Sequence, residues 1–154
     1  MKDGNEANLI DIIEVTSYSE SVLDDVNKLL KQLTKSPLNF SSKMFKEMLL
    51  SENSTLIVAR DNSQAGKIIG TLSFATFRVP TGLNFRIEDV VVDQTARGKG
   101  VGRKLMVYAI KEAQIRGTDK IDLTSSAVRI AANQLYVSLG FKLKKTNVYR
   151  LELT

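Results

Sequence analysis

The sequence predicts a mixed α/β (α+β) fold, with a mostly antiparallel sheet of six to seven strands and four helices. In the middle of the chain, three runs rich in β-branched and aromatic residues follow one another with only turns between them, which favours neighbouring antiparallel strands. Around these runs, apolar residues recur at helical spacing, and helices and short strands alternate in the C-terminal half. This order favours a sheet with helices on both faces.

The N-terminal third predicts one strand and two helices. The segment 8–15 alternates as a half-buried strand does. Ser19 or Ser21 can cap the first helix, which Ser36-Pro37 ends, and Ser41 or Ser42 can cap the second. The apolar positions of the two helices are Val22, Val26, Leu29, Leu30 and Leu33, then Met44, Phe45, Met48 and Leu49.

The rest of the chain predicts five or six more strands and two more helices, with glycines at several of the boundaries. Apolar residues from Val101 to Ala113 lie on one face of the third helix, and Gly140 follows the last one as a C-terminal stop. In order, the elements are strands at 55–60, 67–79 and 87–93, a helix from 101 to 116, a strand at 121–124, a helix at 129–139, and strands at 141–146 and 148–153.

The turn between the third of these strands and the third helix is the most informative segment. It reads Arg97-Gly98-Lys99-Gly100-Val101-Gly102, and Arg103 and Lys104 follow it. Glycine lets a backbone come close to a ligand, and the first amides of a helix lack intrahelical partners and lie at the positive end of its dipole. The segment therefore predicts a phosphate-binding site, and its cations favour a ligand with several phosphates.

Composition excludes several classes of chemistry. The 154 residues fit one domain, 1–154, and contain no cysteine, histidine or tryptophan. Thiolate nucleophiles, histidine triads, disulfides and the usual zinc sites are thereby excluded, and we expect no metal. Proton transfer must use Glu, Asp, Tyr, Lys or water.

Charge and hydropathy give expectations about partners and location. The net charge is +5, but Lys and Arg are scattered, without basic blocks or interleaved aromatic residues, so nucleic-acid binding is disfavoured. No apolar run approaches the roughly 18 residues that span a bilayer. The polar segment 1–5 lacks the apolar core of a signal peptide, so we expect a cytoplasmic protein without membrane contact.

Two motifs resemble those of the GNAT acyltransferase superfamily. A phosphate-loop nucleotidase is disfavoured because Gly-x-x-x-x-Gly-Lys-Ser/Thr does not occur, and a dinucleotide fold because antiparallel strands lead into the glycines. Arg97-x-x-Gly100-x-Gly102 matches the family signature Gln/Arg-x-x-Gly-x-Gly/Ala. The segment 132–141, ANQLYVSLGF, is similar to the family's Ala-x-x-Leu-Tyr-x-x-x-Gly-Phe. The element order is also similar over nearly the whole chain.

The resemblance implies acetyl-CoA as cosubstrate. In this family it lies where two central parallel strands splay apart, and the signature loop holds its pyrophosphate. The residues implied to contact it are Val90, Val91 and Val92 along the pantetheine arm, and Arg97, Gly98, Lys99, Gly100, Val101, Gly102 and Arg103 around the phosphates. One amide of the valine strand is expected to face the acetyl oxygen, where a lost donor typically costs about 2.7 to 4 kcal/mol.

The resemblance also implies two catalytic residues. Tyr136 matches the position whose phenol protonates the leaving CoA thiolate, although a core aromatic would also suit its helix face. Glu88 is the candidate general base, with a strand-end ion pair as the alternative, and alternation places Asp89 on the opposite face. The run Ile87 to Val92 is also similar to a strand of glucosamine-phosphate acetyltransferases.

The chain departs from the family pattern at two positions. Arg129 stands where many relatives have an Asn that contacts the pantetheine arm, so Asn133 or Arg129 would replace it. Thr124 stands where ribosomal-protein acetyltransferases carry a Glu.

These observations predict an N-acetyltransferase that moves acetyl to a primary amine by direct attack. The acceptor is a small-molecule amine, an amino sugar or a protein amine, bound by the first two helices, the segment 36–42 and the last hairpin. The alternatives are a non-catalytic CoA-binding regulatory module and a basic nucleic-acid-binding domain. Family resemblance also makes a homodimer an open expectation.

Overall fold

A computed structural model describes residues 9–37 and 40–153. The chain divides into two compact units, residues 1–124 and 125–154. A single domain over 1–154 stays a prediction, and Asn8, the first residue of the predicted N-terminal strand, lies outside the described residues. No helix in the described ranges combines the length and apolar character needed to cross a bilayer.

In its described residues, 9–37 and 40–124, the first unit contains five strands and three α-helices. Ser19 and Ser41 stand at the N-caps of its first two helices, and the Ser41 side chain accepts a hydrogen bond from the Met44 amide at 3.3 Å. In chain order, the elements are β1 (Ile10–Glu14), α1 (Glu20–Leu33), α2 (Ser42–Leu50), β2 (Ser54–Asp61), β3 (Lys67–Val79), β4 (Gly82–Val92), α3 (Val101–Ile115) and β5 (Ile121–Leu123).

The five strands form one sheet in the order β1-β2-β3-β4-β5. The first four are antiparallel neighbours, whereas β4 and β5 are parallel and pair over only three residues, Phe85–Ile87 with Ile121–Leu123. The mixed, mostly antiparallel sheet is therefore confirmed. The parallel pair stands at the edge of this sheet, not at its centre as expected.

The prediction of six to seven strands is wrong for the described residues, because the two closing strands do not form. Residues 141–153 have no regular secondary structure. Their apolar side chains face solvent: Leu143 is 98% exposed and Tyr149 87%. Alternation of apolar and polar residues signals a strand only when one face is buried and the backbone pairs with a neighbour, and neither condition holds here.

Helices cover both faces of the sheet, as predicted. One face packs against α1 and α2, because Leu56 and Val58 of β2 share a buried cluster with Val26 and Phe45. The other face packs against α3. A Cβ on Gly70 of β3 would lie only 3.1 Å from side-chain atoms of Leu105 and Val101. The missing side chain at Gly70 thus lets the first turns of α3 lie close to the sheet.

A bulge in β4 breaks the alternation of that strand. Ser73 of β3 pairs with Glu88 and Thr71 pairs with Val91, so two residues of β4, Asp89 and Val90, lie opposite one residue of β3. Asp89 has a φ of +52°, a left-handed conformation that Asp tolerates better than most residues. The bulge turns Val91 toward the α1 and α2 cluster, in which it is buried.

The second unit contains one helix, α4 (Ile130–Ser138), followed by a glycine stop. Gly140 has a φ of +93°, and its amide donates to the Val137 carbonyl, while the Phe141 amide donates to the Tyr136 carbonyl, each at 3.0 Å. This pair of hydrogen bonds is the Schellman motif. The ring centroids of Tyr136 and Phe141 lie 6.1 Å apart. The Gly-Phe of the sequence motif therefore closes the helix and packs against its tyrosine.

Candidate functional site

The glycine loop and the start of α3 have the backbone conformation that the predicted anion site requires. Gly98 and Gly100 adopt φ values of +75° and +78°, and no atom lies within 4 Å of a Cβ built on either residue. The first intrahelical hydrogen bond runs from the Lys104 amide to the Gly100 carbonyl at 3.0 Å. The amides of Val101 and Gly102 lie before it. The two glycines thus permit the left-handed backbone conformation and leave open space beside the N-terminus of α3.

A network that the sequence did not predict holds the beginning of this loop. The Asp93 carboxylate accepts hydrogen bonds from the Thr95 amide and hydroxyl and from the Gln32 side chain. Gln32 in turn accepts from the Gln94 amide at 3.0 Å. These hydrogen bonds lower the pKa of Asp93 to about 2. The loop entrance is therefore fastened to α1, some sixty residues away along the chain.

The surface of the loop is positively charged. Arg97, Lys99 and Arg103 are exposed, and the first turn of α3 carries no acidic residue. The Arg97 Nε donates to the Val92 carbonyl at 3.2 Å, which fixes that side chain against the end of β4. Hydrogen bonds from Ser63 and Gln64 lower the pKa of Asp61, and the charge of Lys99 contributes to the same shift. The cations and the helix dipole therefore both favour negative charge beside this loop.

The edge of β4 leading into the loop is open on one side. Its pairing with β5 ends at Ile87, so the edge from Glu88 to Val92 has no strand partner among the described residues. Unpaired edge amides and carbonyls can hydrogen-bond an extended ligand as an added strand. Val90 lies in the bulge, where the ladder with β3 is also interrupted. Val90, Val91 and Val92 lie along this open edge, and their contact with a pantetheine arm stays a prediction.

Glu88 forms an ion pair at the start of this edge. Its carboxylate accepts a hydrogen bond from Arg86 Nε, and Arg86 Nη2 also donates to the Thr124 hydroxyl at 3.5 Å. Both charged side chains remain about two fifths exposed. The structure therefore shows the ion pair that was the alternative to a general base. Exposure leaves room for a substrate amine beside the same carboxylate.

Asp89 borders a pocket on the side of the sheet that α1 and α2 cover. The pocket has a volume of about 60 Å³, and Ser73, the cross-strand partner of Glu88, also lines it. Simple alternation predicted that Asp89 would lie on the face opposite Glu88. The bulge invalidates that argument, because a residue in a left-handed bulge no longer follows the two-residue period.

Tyr136 is buried within the second unit of the chain. It is 8% exposed, and burial raises its pKa above 10.0, while the positive charge of Arg129 acts in the opposite direction. A phenol with a raised pKa stays protonated at neutral pH, as a proton donor must. The structure thus shows a core aromatic whose hydroxyl keeps its proton, and the catalytic role stays a prediction.

Asn133 has a structural role in the approach to α4. Its side-chain amide donates to the Ser126 carbonyl at 2.9 Å, and the Arg129 amide donates to the same carbonyl at 3.1 Å. These bonds close the turn that precedes the helix. A contact of Asn133 or Arg129 with a pantetheine arm stays a prediction. Within the described residues, no group of three or more acidic side chains could hold a metal ion.

Comparison with known proteins identifies the family. Residues 23–141 match the model of the Acetyltransferase (GNAT) family, and the chain belongs to this family. It is 43% identical over 51 residues to N-acetylaspartate synthetase of Xenopus tropicalis, covering 33% of this chain and 19% of that protein. It is 31% identical over 78 residues to human N-acetyltransferase 8B, covering 49% of this chain and 34% of that protein.

The fold resembles solved structures over almost the whole chain. An aminoglycoside acetyltransferase from an uncultured soil metagenomic sample, in complex with trehalose, superposes with a TM-score of 0.83 at 18% identity. The superposition covers 96% of this chain and 98% of that one. By contrast, the chain spans only a fifth to a third of the length of the two curated relatives. The similarity therefore establishes the family and the fold.

Proposed function

We propose that this chain is an acetyl-CoA-dependent N-acetyltransferase that acetylates a primary amine by direct attack on the thioester. The observation that carries the proposal is the continuity of β4, whose open edge from Glu88 to Val92 leads directly into the glycine loop. Such an edge can bind an extended arm that contains amides, and the loop can bind a diphosphate at one end of it. Acetyl-CoA combines these two chemical features.

Residues along this strand and in the loop would then bind different parts of acetyl-CoA. The amides at 98–102 and the cations around them would hold the diphosphate, and the edge of β4 would align the arm. A backbone amide near the bulge would donate to the acetyl oxygen as negative charge develops there. These contacts fit the open space beside Gly98 and Gly100, into which a ligand can approach the backbone closely.

The transfer itself forms one bond and breaks one. The neutral amine nitrogen bonds to the acetyl carbon, the bond from that carbon to sulfur breaks, and sulfur leaves as the thiolate. The nitrogen, positively charged after the attack, releases one proton to solvent and becomes the amide nitrogen, which balances the proton that the thiolate takes up. An alkyl amine has a pKa near that of lysine, about 10.4, so it must first lose a proton, and Glu88 or water would accept it. Tyr136 is proposed to donate its phenolic proton to the thiolate, a role that rests on the family resemblance.

A non-catalytic CoA-binding module would share the same anion site, so the test must separate binding from turnover. Calorimetric titration of the purified chain with acetyl-CoA should give saturable binding. S-acetylpantetheine, which carries the same thioester without the diphosphate, should bind at least tenfold more weakly. Thiol release in the presence of a panel of primary amines then measures turnover. Binding without amine-dependent release would reject the enzyme and leave the module, whereas equal binding of both thioesters would reject the diphosphate site.

A further inference from the structure

The pocket between α1, α2 and the sheet has a chemistry that selects among acceptors. Its apolar walls come from Val26 and Leu30 of α1, Phe40, Met48 of α2 and Leu56 of β2. Its hydroxyls already have partners, because Thr71 donates to the Ile57 carbonyl at 2.8 Å and Ser73 to the Glu88 carbonyl at 3.5 Å. The carboxylate on its lining belongs to Asp89. We call this cavity the acceptor pocket.

We propose that the acceptor is a primary amine on a compact apolar body, bound with its hydrocarbon part in the acceptor pocket and its amino group toward Asp89. The inference rests on the proposed acetyltransferase function and adds the class of acceptor to it. The pocket reaches β4 at the bulge, beside the open edge proposed for the thioester arm. An amine held at Asp89 would therefore lie at the end of the pocket that borders that edge.

The volume of the acceptor pocket limits the size of the hydrocarbon part. A cavity needs about 10 to 15 Å³ to hold one group the size of a water molecule, so about 60 Å³ accommodates roughly four to six such groups. The walls are also held in place. The Phe40 ring packs against Phe45 with centroids 5.4 Å apart, and Asn27 donates to the Phe40 carbonyl at 3.0 Å. A body of four to five carbons is therefore the expected optimum.

The same walls disfavour polyhydroxylated or polycationic acceptors. A hydroxyl moved from water into an apolar pocket without a partner weakens binding about fivefold to 150-fold, and an unpaired ammonium weakens it more. One carboxylate can satisfy one ammonium group. Amino sugars and aminoglycosides carry several hydroxyl or amino groups at once. They would leave most of these groups without partners among Val26, Leu30 and Met48.

A homologous series of straight-chain primary amines tests the size limit directly. Their amino groups have nearly the same pKa, so differences in kcat/KM report binding of the hydrocarbon. From methylamine to butylamine, kcat/KM should rise about fourfold for each carbon that enters the pocket. It should stop rising at four to five carbons, when the pocket is full. Glucosamine 6-phosphate, sisomicin and spermidine should all be poorer acceptors than butylamine.

Two substitutions in α1 test whether the acceptor pocket sets the optimal chain length of the amine. Leu30 lines the acceptor pocket, whereas Leu33 packs against the same core cluster without lining the pocket. Leu30→Ala removes three carbons from the wall and should move the optimum toward longer amines. Leu33→Ala should leave the optimum where it is in the unaltered chain. Affinity for acetyl-CoA, measured calorimetrically, should be the same for both variants and confirms that each is folded.

The outcomes separate this inference from the proposed function. A flat alkylamine series, or an amino sugar or polyamine with a higher kcat/KM than butylamine, overturns the inference while the acetyltransferase function stands. An optimum that moves equally with Leu30→Ala and Leu33→Ala also overturns it. If acetyl-CoA binds and no amine releases thiol, the proposed function fails and this inference fails with it.

Discussion

Replacement of Gly100 by alanine tests the central physical claim, that backbone amides of the glycine loop bind the diphosphate of CoA. Gly100 is the N-cap of α3 and has a φ of +78°. Its alanine side chain would meet no atom within 4 Å, so the cost is one of backbone conformation. A left-handed alanine is disfavoured by roughly 1–2 kcal/mol. For a chain of about 150 residues, that lowers Tm by about 2 to 8 °C.

The effect on CoA binding should be larger than the effect on stability suggests. If the loop relaxes to relieve the strain, the amides at the start of α3 turn away from the ligand. A hydrogen bond to a charged group contributes about 1.5–3 kcal/mol, so loss of one such bond weakens binding about tenfold to 150-fold. If the loop keeps its conformation, the added methyl group instead lies in the space where the diphosphate approaches the backbone.

Gly117 provides a matched control at the other end of the same helix. It has a φ of +75° and also no atom within 4 Å of a built Cβ, so Gly117→Ala carries the same kind of strain. Thermal unfolding should therefore show similar losses for both variants, while calorimetry should show weaker CoA binding for Gly100→Ala alone. Equal CoA affinities for the two variants would refute the assignment of the anion site to this loop.

Four further substitutions test other parts of the site. Tyr136→Phe should preserve CoA affinity and lower kcat about tenfold or more, as expected for a lost hydrogen bond to a charged atom. Because the pKa of Tyr136 in the folded protein lies above 10.0, the native protein loses stability as pH rises past 10, and the Tyr136→Phe variant should lose less. Glu88→Gln should lower kcat/KM for a primary amine, and an unchanged dependence of kcat/KM on pH would exclude Glu88 as the base. The pKa of Asp93 in the folded protein is about 2, below its ordinary 3.8, so its stabilising contribution is present above pH 3.8 and lost as pH falls toward 2. In urea titrations at several pH values, the free energy of unfolding of Asp93→Asn should therefore fall less steeply with acid than that of the unaltered chain. Gly70→Ala should lower the free energy of unfolding by about 1–3 kcal/mol through overpacking against α3, and no change in a urea titration would contradict the close approach described above.

Local patterns were sufficient for most of the fold and for the position of the glycine loop. The helices at 20–33, 42–50 and 101–115 and the strands β2 and β3 lie where the apolar patterns predict them, although Met44 of the second helix is 45% exposed and not part of a buried face. Gly98 and Gly100 were identified because a strand, a glycine turn and a helix follow one another in the sequence. Each of these features depends on residues that are close neighbours along the chain.

Features that depend on distant residues could not be predicted in this way. The network of Gln32 with Asp93 and Gln94 joins two segments sixty residues apart, and no local pattern marks it. The segment 141–153 alternates as a strand does, yet whether it forms one depends on the presence of a partner edge. The ion pair of Arg86 with Glu88 lies on one strand, but the contact of Arg86 with Thr124 depends on how β4 pairs with β5.

The bulge in β4 explains why alternation does not predict the face on which each residue of this strand lies. In a regular strand, Val91 would share a face with Asp89 and point toward α3. The extra residue instead directs Val91 to the α1 and α2 side, and it leaves Asp89 bordering the acceptor pocket. At about 3.3 Å per residue, the open edge from Glu88 to Val92 is about 13 Å long. The bulge therefore places a distorted backbone, an acidic side chain and an apolar pocket at one end of that edge, and the glycine loop follows the other end.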